Sequence, residues 1–211
     1  MRNDNDSICE QLESRRLLSA ALVDGVLKVV GTEGNDKIYV AGTRSGGPIV
    51  VQINGTKTTF ARGPVHRIEV SGLGGDDVLN AGSLFHPAGV LMKGGMGNDS
   101  LVGSNQTDHL YGGNGDDSIY GYRGSDWLYG QGGVDHLWDN FGNNHLFGGD
   151  ANDLLDGGPG NDTLMGEGGK DVLYGKEGAD LLNGGRNDDV VVGGAGVDLL
   201  IGGSSDYLRQ R

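Results

Sequence analysis

Apolar residues recur every nine positions along the second half of this chain. Residues 94–201 divide into twelve consecutive units of nine, with no insertion or deletion, and the eighth place of every unit is Leu, Ile or Val. The other places are mostly polar or glycine. Side chains alternate across a strand, so places seven to nine predict a short strand whose eighth residue points inward.

Two further places keep the same period. The units follow Gly-Gly-x-Gly-x-Asp-x-aliphatic-x: glycine opens eleven of the twelve, the exception being Asp139, and Asn144 is the one place-six residue that is not aspartate. The place-six aspartates are Asp99, Asp108, Asp117, Asp126, Asp135, Asp153, Asp162, Asp171, Asp180, Asp189 and Asp198. A glycine-rich hexad suits a tight turn with positive φ. Each unit therefore predicts one turn followed by one strand.

Two such units make one coil of a flattened solenoid, with one strand in each of two sheets. Units two apart stack at the strand spacing, so twelve units predict six coils with a length of about 29 Å. Residues 94–203 are the predicted roll, and residues 204–211 are a C-terminal tail. The predicted fold class is all-β: a parallel β-roll solenoid of about six coils with an N-terminal β-rich cap.

Residues 21–93 carry fewer glycines and more β-branched residues. Strands are predicted at residues 26–30, 38–40, 49–53, 57–60, 66–70 and 90–92. Asn54-Gly55 between two of them is a hairpin turn signal. We interpret this region as a cap that continues into the roll and covers its open edge. A separate domain is the alternative.

Apolar burial alone is too small to hold the repeats together. One aliphatic side chain per nine residues contributes at most about 2 to 3 kcal/mol, whereas ordering each residue costs about 1 to 2 kcal/mol. Stacking also places Asp99 over Asp117 and Asp108 over Asp126, where like charges repel. A divalent cation would remove this repulsion. Calcium fits best, because it accepts oxygen ligands in flexible geometry, whereas magnesium needs a tighter octahedron. The turns lack the cysteine and clustered histidine that zinc or copper prefers.

The nonapeptide resembles the RTX family, the hemolysin-type calcium-binding repeats that form a parallel β-roll. The resemblance covers residues 94–201, with single units upstream at residues 72–80 (GLGGDDVLN) and 31–39 (GTEGNDKIY). It implies Ca²⁺ between stacked loops, bound by the place-six aspartates and by main-chain carbonyls. The opening glycines included in the predicted metal site are Gly94, Gly112, Gly157 and Gly175. The twelve units give ten same-edge pairs, two of them with Asn144, so about eight good sites are expected. The sites of Asn144 with Asp126 and Asp162 should be weak.

Charge and cysteine count narrow the function classes. The formal charge of −13 argues against nucleic acid and anionic membranes as partners. No apolar run is long enough to span a bilayer. The single cysteine, Cys9, excludes a disulfide framework, which is compatible with an exported protein that uses metal instead.

The N-terminal residues 1–20 are predicted to be a tail or export segment. Within them, residues 12–20 (LESRRLLSA) resemble an N-terminal segment, LE-x-R-x-LLSA, of large exported planctomycete-type surface proteins. An amphipathic helix is the alternative interpretation. These features predict an extracellular or cell-surface location.

The function predicted from the sequence is a calcium-binding, exported structural or interaction module that folds on binding calcium. The chain lacks HExxH, GxSxG and P-loop motifs, so we expect no enzyme. The alternative is an RTX-associated enzyme with an unrecognised site in residues 21–93.

Outward aromatic residues suggest a second alternative function, ligand binding on a sheet face. They form a ladder on one sheet face: Tyr111, Trp127, Tyr129 and Phe147. Cross-strand packing that stiffens the sheet is the favoured explanation. The alternative is a flat platform that binds polysaccharide or a cell-surface protein. At the C-terminal coil, Val190, Val192, Leu199 and Ile201 also take outward places, so we expect residues 204–211 or a second subunit of a homodimer to cover them.

Overall fold

The structure is a computed structural model that describes residues 19–43, 46–61, 63, 65–203 and 205–210. The described residues form strands and turns, and none of them forms a helix that could cross a membrane. Most of the predicted export segment, residues 1–20, lies outside these ranges. Only residues 19 and 20 are described, and they begin the first strand.

The strands, numbered in chain order, form two sheets. The first sheet contains, in spatial order, β1 (Ser19–Val23), β2 (Val26–Val30), β6 (Arg67–Gly74), β8 (Val90–Met96), β10 (His109–Asn114), β12 (Trp127–Gly132), β14 (His145–Asp150), β16 (Thr163–Gly168), β18 (Leu181–Asn183) and β20 (Leu199–Ile201). The second contains β5 (Thr56–Phe60), β4 (Ile49–Ile53), β3 (Lys37–Gly42), β7 (Val78–Asn80), β9 (Ser100–Val102), β11 (Ser118–Tyr120), β13 (His136–Trp138), β15 (Leu154–Asp156), β17 (Val172–Glu177), β19 (Val190–Ala195) and β21 (Tyr207–Arg209).

Successive coils stack in parallel with a fixed offset. Leu110 of β10 lies opposite Leu128 of β12, which is one 18-residue coil later, and the same register continues to Leu146 of β14. The predicted class, an all-β parallel β-roll, is therefore confirmed. The predicted number of coils is too low, because the solenoid makes about eight turns. Two further coils lie upstream of the regular repeats: β2 with β3, and β6 with β7, each with one strand in each sheet. β2 pairs in parallel with β6, and β3 pairs in parallel with β7.

The two upstream coils do not follow the nine-residue period, because they contain inserted residues. Ile38 of β3 pairs with Leu79 of β7 across 41 residues, and the antiparallel strands β4 and β5 lie within that interval. Ile68 of β6 pairs with Val90 of β8 across 22 residues. The uninterrupted nine-residue period is therefore confined to the regular coils.

The place-eight aliphatic residues form the centre of the solenoid. Eleven of them are 0 or 1% exposed: Leu101, Leu110, Ile119, Leu128, Leu137, Leu146, Leu155, Leu164, Leu173, Leu182 and Val191. The twelfth, Leu200, is partly buried against this core. The prediction that place eight points inward is confirmed.

Antiparallel strands form the N-terminal end of both sheets, and the interpretation of residues 21–93 as a cap stays a prediction. β1 pairs with β2 through a turn at Asp24 and Gly25 (φ 48° and 75°), and β4 pairs with β5 through Asn54 and Gly55 (φ 47° and 89°). β2 and β4 have the predicted bounds, whereas β6 and β8 run four residues further, into the glycines of the next turn. β1 and β5 are therefore the outermost strands of the two sheets at the N-terminal end.

The C-terminal residues extend the solenoid instead of covering it. β21 pairs in parallel with β19 and so adds one more strand to the second sheet. Leu199 and Ile201 remain 59% and 43% exposed. The described tail residues flank Val190 and Val192, which are half-buried and lie opposite Tyr207 and Arg209. The expectation that the tail covers Leu199 and Ile201 is wrong for the described residues 205–210, because these residues are paired along the edge of the other sheet. The cover by a second subunit stays a prediction.

Candidate metal centre

The place-six residues stack into two columns, one along each edge of the solenoid. The first column contains Asp36, Asp77, Asp99, Asp117, Asp135, Asp153, Asp171, Asp189 and Asp206. The second contains Asp108, Asp126, Asn144, Asp162, Asp180 and Asp198. Every aspartate that the sequence assigns to the metal site thus lies in one of these columns.

Within a column, one carboxylate oxygen is fixed by the backbone of the preceding coil. The N–H of Asp99 donates to Asp117 Oδ1 at 2.7 Å, and the N–H of Asp117 donates to Asp135 Oδ1 at 2.8 Å. Hydrogen bonds to an ionised acceptor are stronger than those between neutral groups. Oδ1 therefore helps to hold successive coils in register.

The other carboxylate oxygen is buried and has no hydrogen-bond partner in most of the units. Among the described column residues this applies to the Oδ2 atoms of Asp77, Asp99, Asp117, Asp126, Asp135, Asp153, Asp162, Asp171, Asp180 and Asp189, and it also applies to Asp139, which opens its unit and lies outside the columns. A buried carboxylate that lacks a partner is strongly unfavourable, because it loses its hydration without compensation. These orphaned oxygens therefore call for a cation or a proton.

The glycine that opens each unit leaves space beside the orphaned oxygen. A Cβ atom on Gly94 would lie 2.1 Å from Asp99 Oδ2 and 2.5 Å from the carbonyl oxygen of Gly112. The other opening glycines of the predicted metal site would place a Cβ 2.2 to 2.6 Å from the Oδ2 of their own unit: Gly112, Gly157 and Gly175. Beside Gly94 and Gly175, a carboxylate and a main-chain carbonyl from successive coils thus face one small space, and this donor set suits Ca²⁺.

Side chains alone do not surround any of these spaces. Within the part of the chain that the structure describes, no group of three or more His, Cys, Asp or Glu side chains is placed to hold a metal ion. A cation in the columns therefore needs main-chain carbonyls as ligands in addition to carboxylates. The fit to calcium rests on the oxygen donors described above.

Burial raises the pKa of the column carboxyl groups. It raises the pKa of Asp99 and Asp117 to about 7 and that of Asp162 to about 8. The hydrogen bond from the preceding coil lowers each pKa, whereas the charges of neighbouring aspartates raise it further. The carboxylate form is therefore disfavoured in the folded chain unless positive charge is supplied.

Two of the predicted metal-site aspartates differ from the others because hydrogen bonds satisfy them. Asp108 Oδ2 accepts the backbone N–H of Ser104, and its Oδ1 accepts the Ser104 hydroxyl at 2.9 Å. Asp198 Oδ2 accepts Gln210 Nε2 at 3.0 Å. Both residues end the second column. Their carboxylates have less need of a cation than those inside the column.

Sequence reasoning did not assign Asp36, Asp77 and Asp206 to the site, although all three belong to the first column. Asp77 has an orphaned Oδ2, whereas the column ends Asp36 and Asp206 accept hydrogen bonds at Oδ2 from backbone N–H groups nearby. The upstream hexads GTEGND and GLGGDD contained the signal for Asp36 and Asp77. Asp206 follows Asp189 by 17 residues instead of 18, so the period conceals it.

Asn144 keeps its place in the second column but changes the chemistry there. Its Oδ1 accepts the N–H of Asp126 at 3.0 Å, and its own N–H donates to Asp162 Oδ1 at 2.7 Å. Its Nδ2 donates to the carbonyl of Gly157 at 3.3 Å. In other units, the carbonyl of an opening glycine faces an orphaned aspartate Oδ2. Here the Gly157 carbonyl instead accepts a hydrogen bond from the Asn144 side-chain amide. The predicted weakness of its sites with Asp126 and Asp162 stays a prediction.

The predicted aromatic surface consists of rings stacked on one another. Tyr129 lies between Tyr111 and Phe147, with centroid distances of 4.6 and 4.9 Å and interplanar angles of 4° and 7°. Trp127 stacks on His145 at 4.1 Å. Neighbouring rings thus cover both faces of Tyr129. This geometry favours packing that stiffens the sheet over a flat platform for a polysaccharide, which would need free ring faces.

A comparison with protein families agrees with this geometry. The family model described as the RTX calcium-binding nonapeptide repeat (4 copies) matches residues 93–128, 129–164 and 165–200, which together make up about half of the chain. No curated protein and no solved structure gives a significant match to the chain.

Proposed function

The chain belongs to the RTX calcium-binding nonapeptide repeat family, and on that premise we propose that it is an exported structural or interaction module that folds on binding calcium. Calcium binding follows from the family. The single observation that supports coupled folding is the set of buried aspartate Oδ2 atoms without hydrogen-bond partners.

These oxygens oppose folding when no cation is present. Asp162 is 2% exposed, its Oδ2 has no partner, and burial raises its pKa to about 8. At neutral pH, folding without a cation must therefore bury this charge or take up a proton, and either is costly. Bound calcium supplies the positive charge that makes burial of the carboxylates favourable. The thin aliphatic core gives little to offset the cost otherwise, so binding and folding become one event.

The proposed ligands are the place-six aspartates with an orphaned Oδ2, together with the carbonyls of the opening glycines. The aspartates are Asp77, Asp99, Asp117, Asp126, Asp135, Asp153, Asp162, Asp171, Asp180 and Asp189. One ion for each of these oxygens gives about ten bound calcium ions, each completed by carbonyls and water. Asp108 and Asp198 are expected to contribute less, because hydrogen bonds occupy their Oδ2 atoms.

The affinity range of such sites suits folding after export. Calcium sites in extracellular modules commonly have a Kd of about 10⁻⁴ to 10⁻³ M, well above the calcium concentration of the cytosol. With many sites, mass action increases stability steeply as calcium rises. We therefore propose a chain that stays loose before export and folds at the cell surface or outside the cell.

Hydrogen exchange tests this proposal. Amide protection should be measured at submicromolar and at millimolar calcium, with magnesium replacing calcium in a matched control at constant ionic strength. We expect the amides of β10, β12 and β14 to be protected only in millimolar calcium. Full protection of these strands at submicromolar calcium would contradict folding on export.

The proposal includes no catalytic step. The prediction that the chain is not an enzyme has a direct test: turnover of any substrate that survives deletion of residues 94–211 would place an active site in residues 21–93. Binding to polysaccharide, to a cell-surface protein or to a second copy through the C-terminal coil remains a prediction from the sequence.

A further inference from the structure

Asp139 stands at the one opening position where the regular repeats lack glycine. Its side chain is buried, with 4% of the residue exposed, and its Oδ1 accepts the N–H of Asn140 at 2.6 Å. Its Oδ2 is buried without a hydrogen-bond partner. A carboxylate that is held at one oxygen and orphaned at the other needs a further partner.

That partner position is shared with Asp126. A Cβ atom on Gly121 would lie 2.0 Å from Asp139 Oδ2 and 2.8 Å from Asp126 Oδ2, so both orphaned oxygens border the space beside this glycine. They are at most about 5 Å apart, a distance at which two buried charges repel strongly and which one calcium ion spans at its usual Ca–O distances. Asp126 is itself 0% exposed. At Gly94 and Gly130, by contrast, one carboxylate oxygen and one carbonyl border the corresponding space.

The neighbouring unit of the second column supplies an amide, Asn144, where the other units supply a carboxylate. At the next level, Asn144 Nδ2 already occupies the Gly157 carbonyl. Asn144 carries no negative charge into the second column. Asp139, which opens the same nine-residue unit, supplies one to the space beside Gly121 in the preceding coil.

We propose that Asp126 and Asp139 form a two-carboxylate cation site beside Gly121, which binds calcium, and trivalent lanthanides in its place, more tightly than the single-carboxylate levels do. This inference rests on the proposed role of the orphaned Oδ2 atoms as calcium ligands. It makes Asp139 a compensating ligand for the loss of an aspartate at position 144. Affinity in oxygen-ligand calcium sites rises with the number of charged ligands, which is why this level should be tighter.

The two tryptophans of the chain provide a local probe. Trp127 directly follows Asp126, and Trp138 directly precedes Asp139. Terbium bound beside them should show luminescence sensitised by tryptophan. Terbium titration of the full chain in millimolar calcium, which keeps the roll folded, therefore reports first on this site.

The test compares Asp139→Asn with Asp150→Asn, a matched control that removes one carboxylate from an exposed position. We expect the terbium concentration at half-maximal sensitised luminescence to rise about tenfold or more in Asp139→Asn and to stay unchanged in Asp150→Asn. Calcium counted by equilibrium dialysis at a low, fixed concentration should fall by about one ion in Asp139→Asn alone. Asp139→Gly restores the glycine of the repeat and should give the same loss if Asp139→Asn does not fold.

Equal half-saturation and equal calcium counts in wild type, Asp139→Asn and Asp139→Gly would overturn the proposal, since the pair would then be held by a shared proton. Failure of the proposed function gives a different result: the wild-type chain itself would bind few calcium ions and would keep its strands in chelator.

Discussion

The backbone N–H of Asp99 donates to Oδ1 of Asp117, one coil later, at 2.7 Å, while Oδ2 of Asp117 is buried with no hydrogen-bond partner. The two oxygens of one carboxylate thus have separate roles. One holds the coils in register, and the other faces the space beside an opening glycine. Removal of such a side chain should therefore affect both coil stacking and calcium binding.

Substitution of an aspartate inside the second column should cost more bound calcium and more cooperativity than substitution of one at its end. Asp162 accepts the N–H of Asn144, donates its own N–H to Asp180 and has an orphaned Oδ2. Asp162→Ala should therefore remove about one to two calcium ions, because its loop borders the calcium sites shared with the coil before it and the coil after it. It should also divide the calcium-driven folding transition into unequal steps. Calcium titration by calorimetry measures both effects.

The matched control is Asp198→Ala at the end of the same column. Asp198 Oδ2 is already bound by Gln210, and only Asp180 donates its N–H to Asp198 Oδ1. We expect the loss of at most about one ion and a loosened C-terminal edge. Equal losses of stoichiometry and cooperativity in the two variants would show independent loops, which contradicts a stacked array.

The calcium-free chain should become more structured in mild acid. Burial raises the pKa of Asp117 to about 7 and that of Asp162 to about 8, compared with about 4 in an unfolded chain. Groups with a raised folded-state pKa contribute stability below their unfolded pKa, and this contribution is lost as the pH rises through the folded pKa. In chelator, strand content measured by circular dichroism should therefore fall between about pH 4 and pH 8.

Calcium reverses this pH dependence, because the ion needs the carboxylate form and protons compete with it. The calcium concentration that gives half-maximal folding should rise as the pH falls from about 7.5 to 5.5. A chelated chain with more strand at pH 7.5 than at pH 4.5, or a calcium midpoint that is independent of pH, would contradict the burial of unpaired carboxyl groups.

The aromatic ladder should contribute stability independently of ligand. Tyr129 is stacked on both faces, whereas Tyr174, also at place nine, contacts Lys176 Nζ at 5.0 Å. Because each stacked pair contributes about 0.5 to 1.5 kcal/mol and an exposed cation–π contact about 0.5 to 1 kcal/mol, Tyr129→Ala should lower the free energy of unfolding by about 1 kcal/mol more than Tyr174→Ala. Urea unfolding in saturating calcium measures the difference. Polysaccharide binding that is lost in Tyr129→Ala at unchanged stability would instead favour the platform.

The regular period explains which features the sequence predicts. The inward residues, such as Leu128, and the stacked aspartates, such as Asp117, repeat in phase, so strand alternation and coil stacking follow directly. Asp36 and Asp206 lie outside the period, since inserted strands and a 17-residue spacing separate them from their neighbours. The residue pattern showed Asp139 only as a missing glycine. The period predicts that its turn and the turn of Asp126 share an edge. That both Oδ2 atoms border the space beside Gly121 depends on where the Asp139 side chain points, which spacing alone does not reveal.

The central claim is that cations at the orphaned aspartate oxygens hold this solenoid together. Circular dichroism and thermal unfolding of the full chain, at neutral pH, in excess chelator and in millimolar calcium, with magnesium as the control ion, test it most directly. We predict a largely unfolded chain in chelator and in magnesium, and a cooperative β-roll in calcium. The same strand content and the same melting temperature in chelator and in calcium would contradict the account.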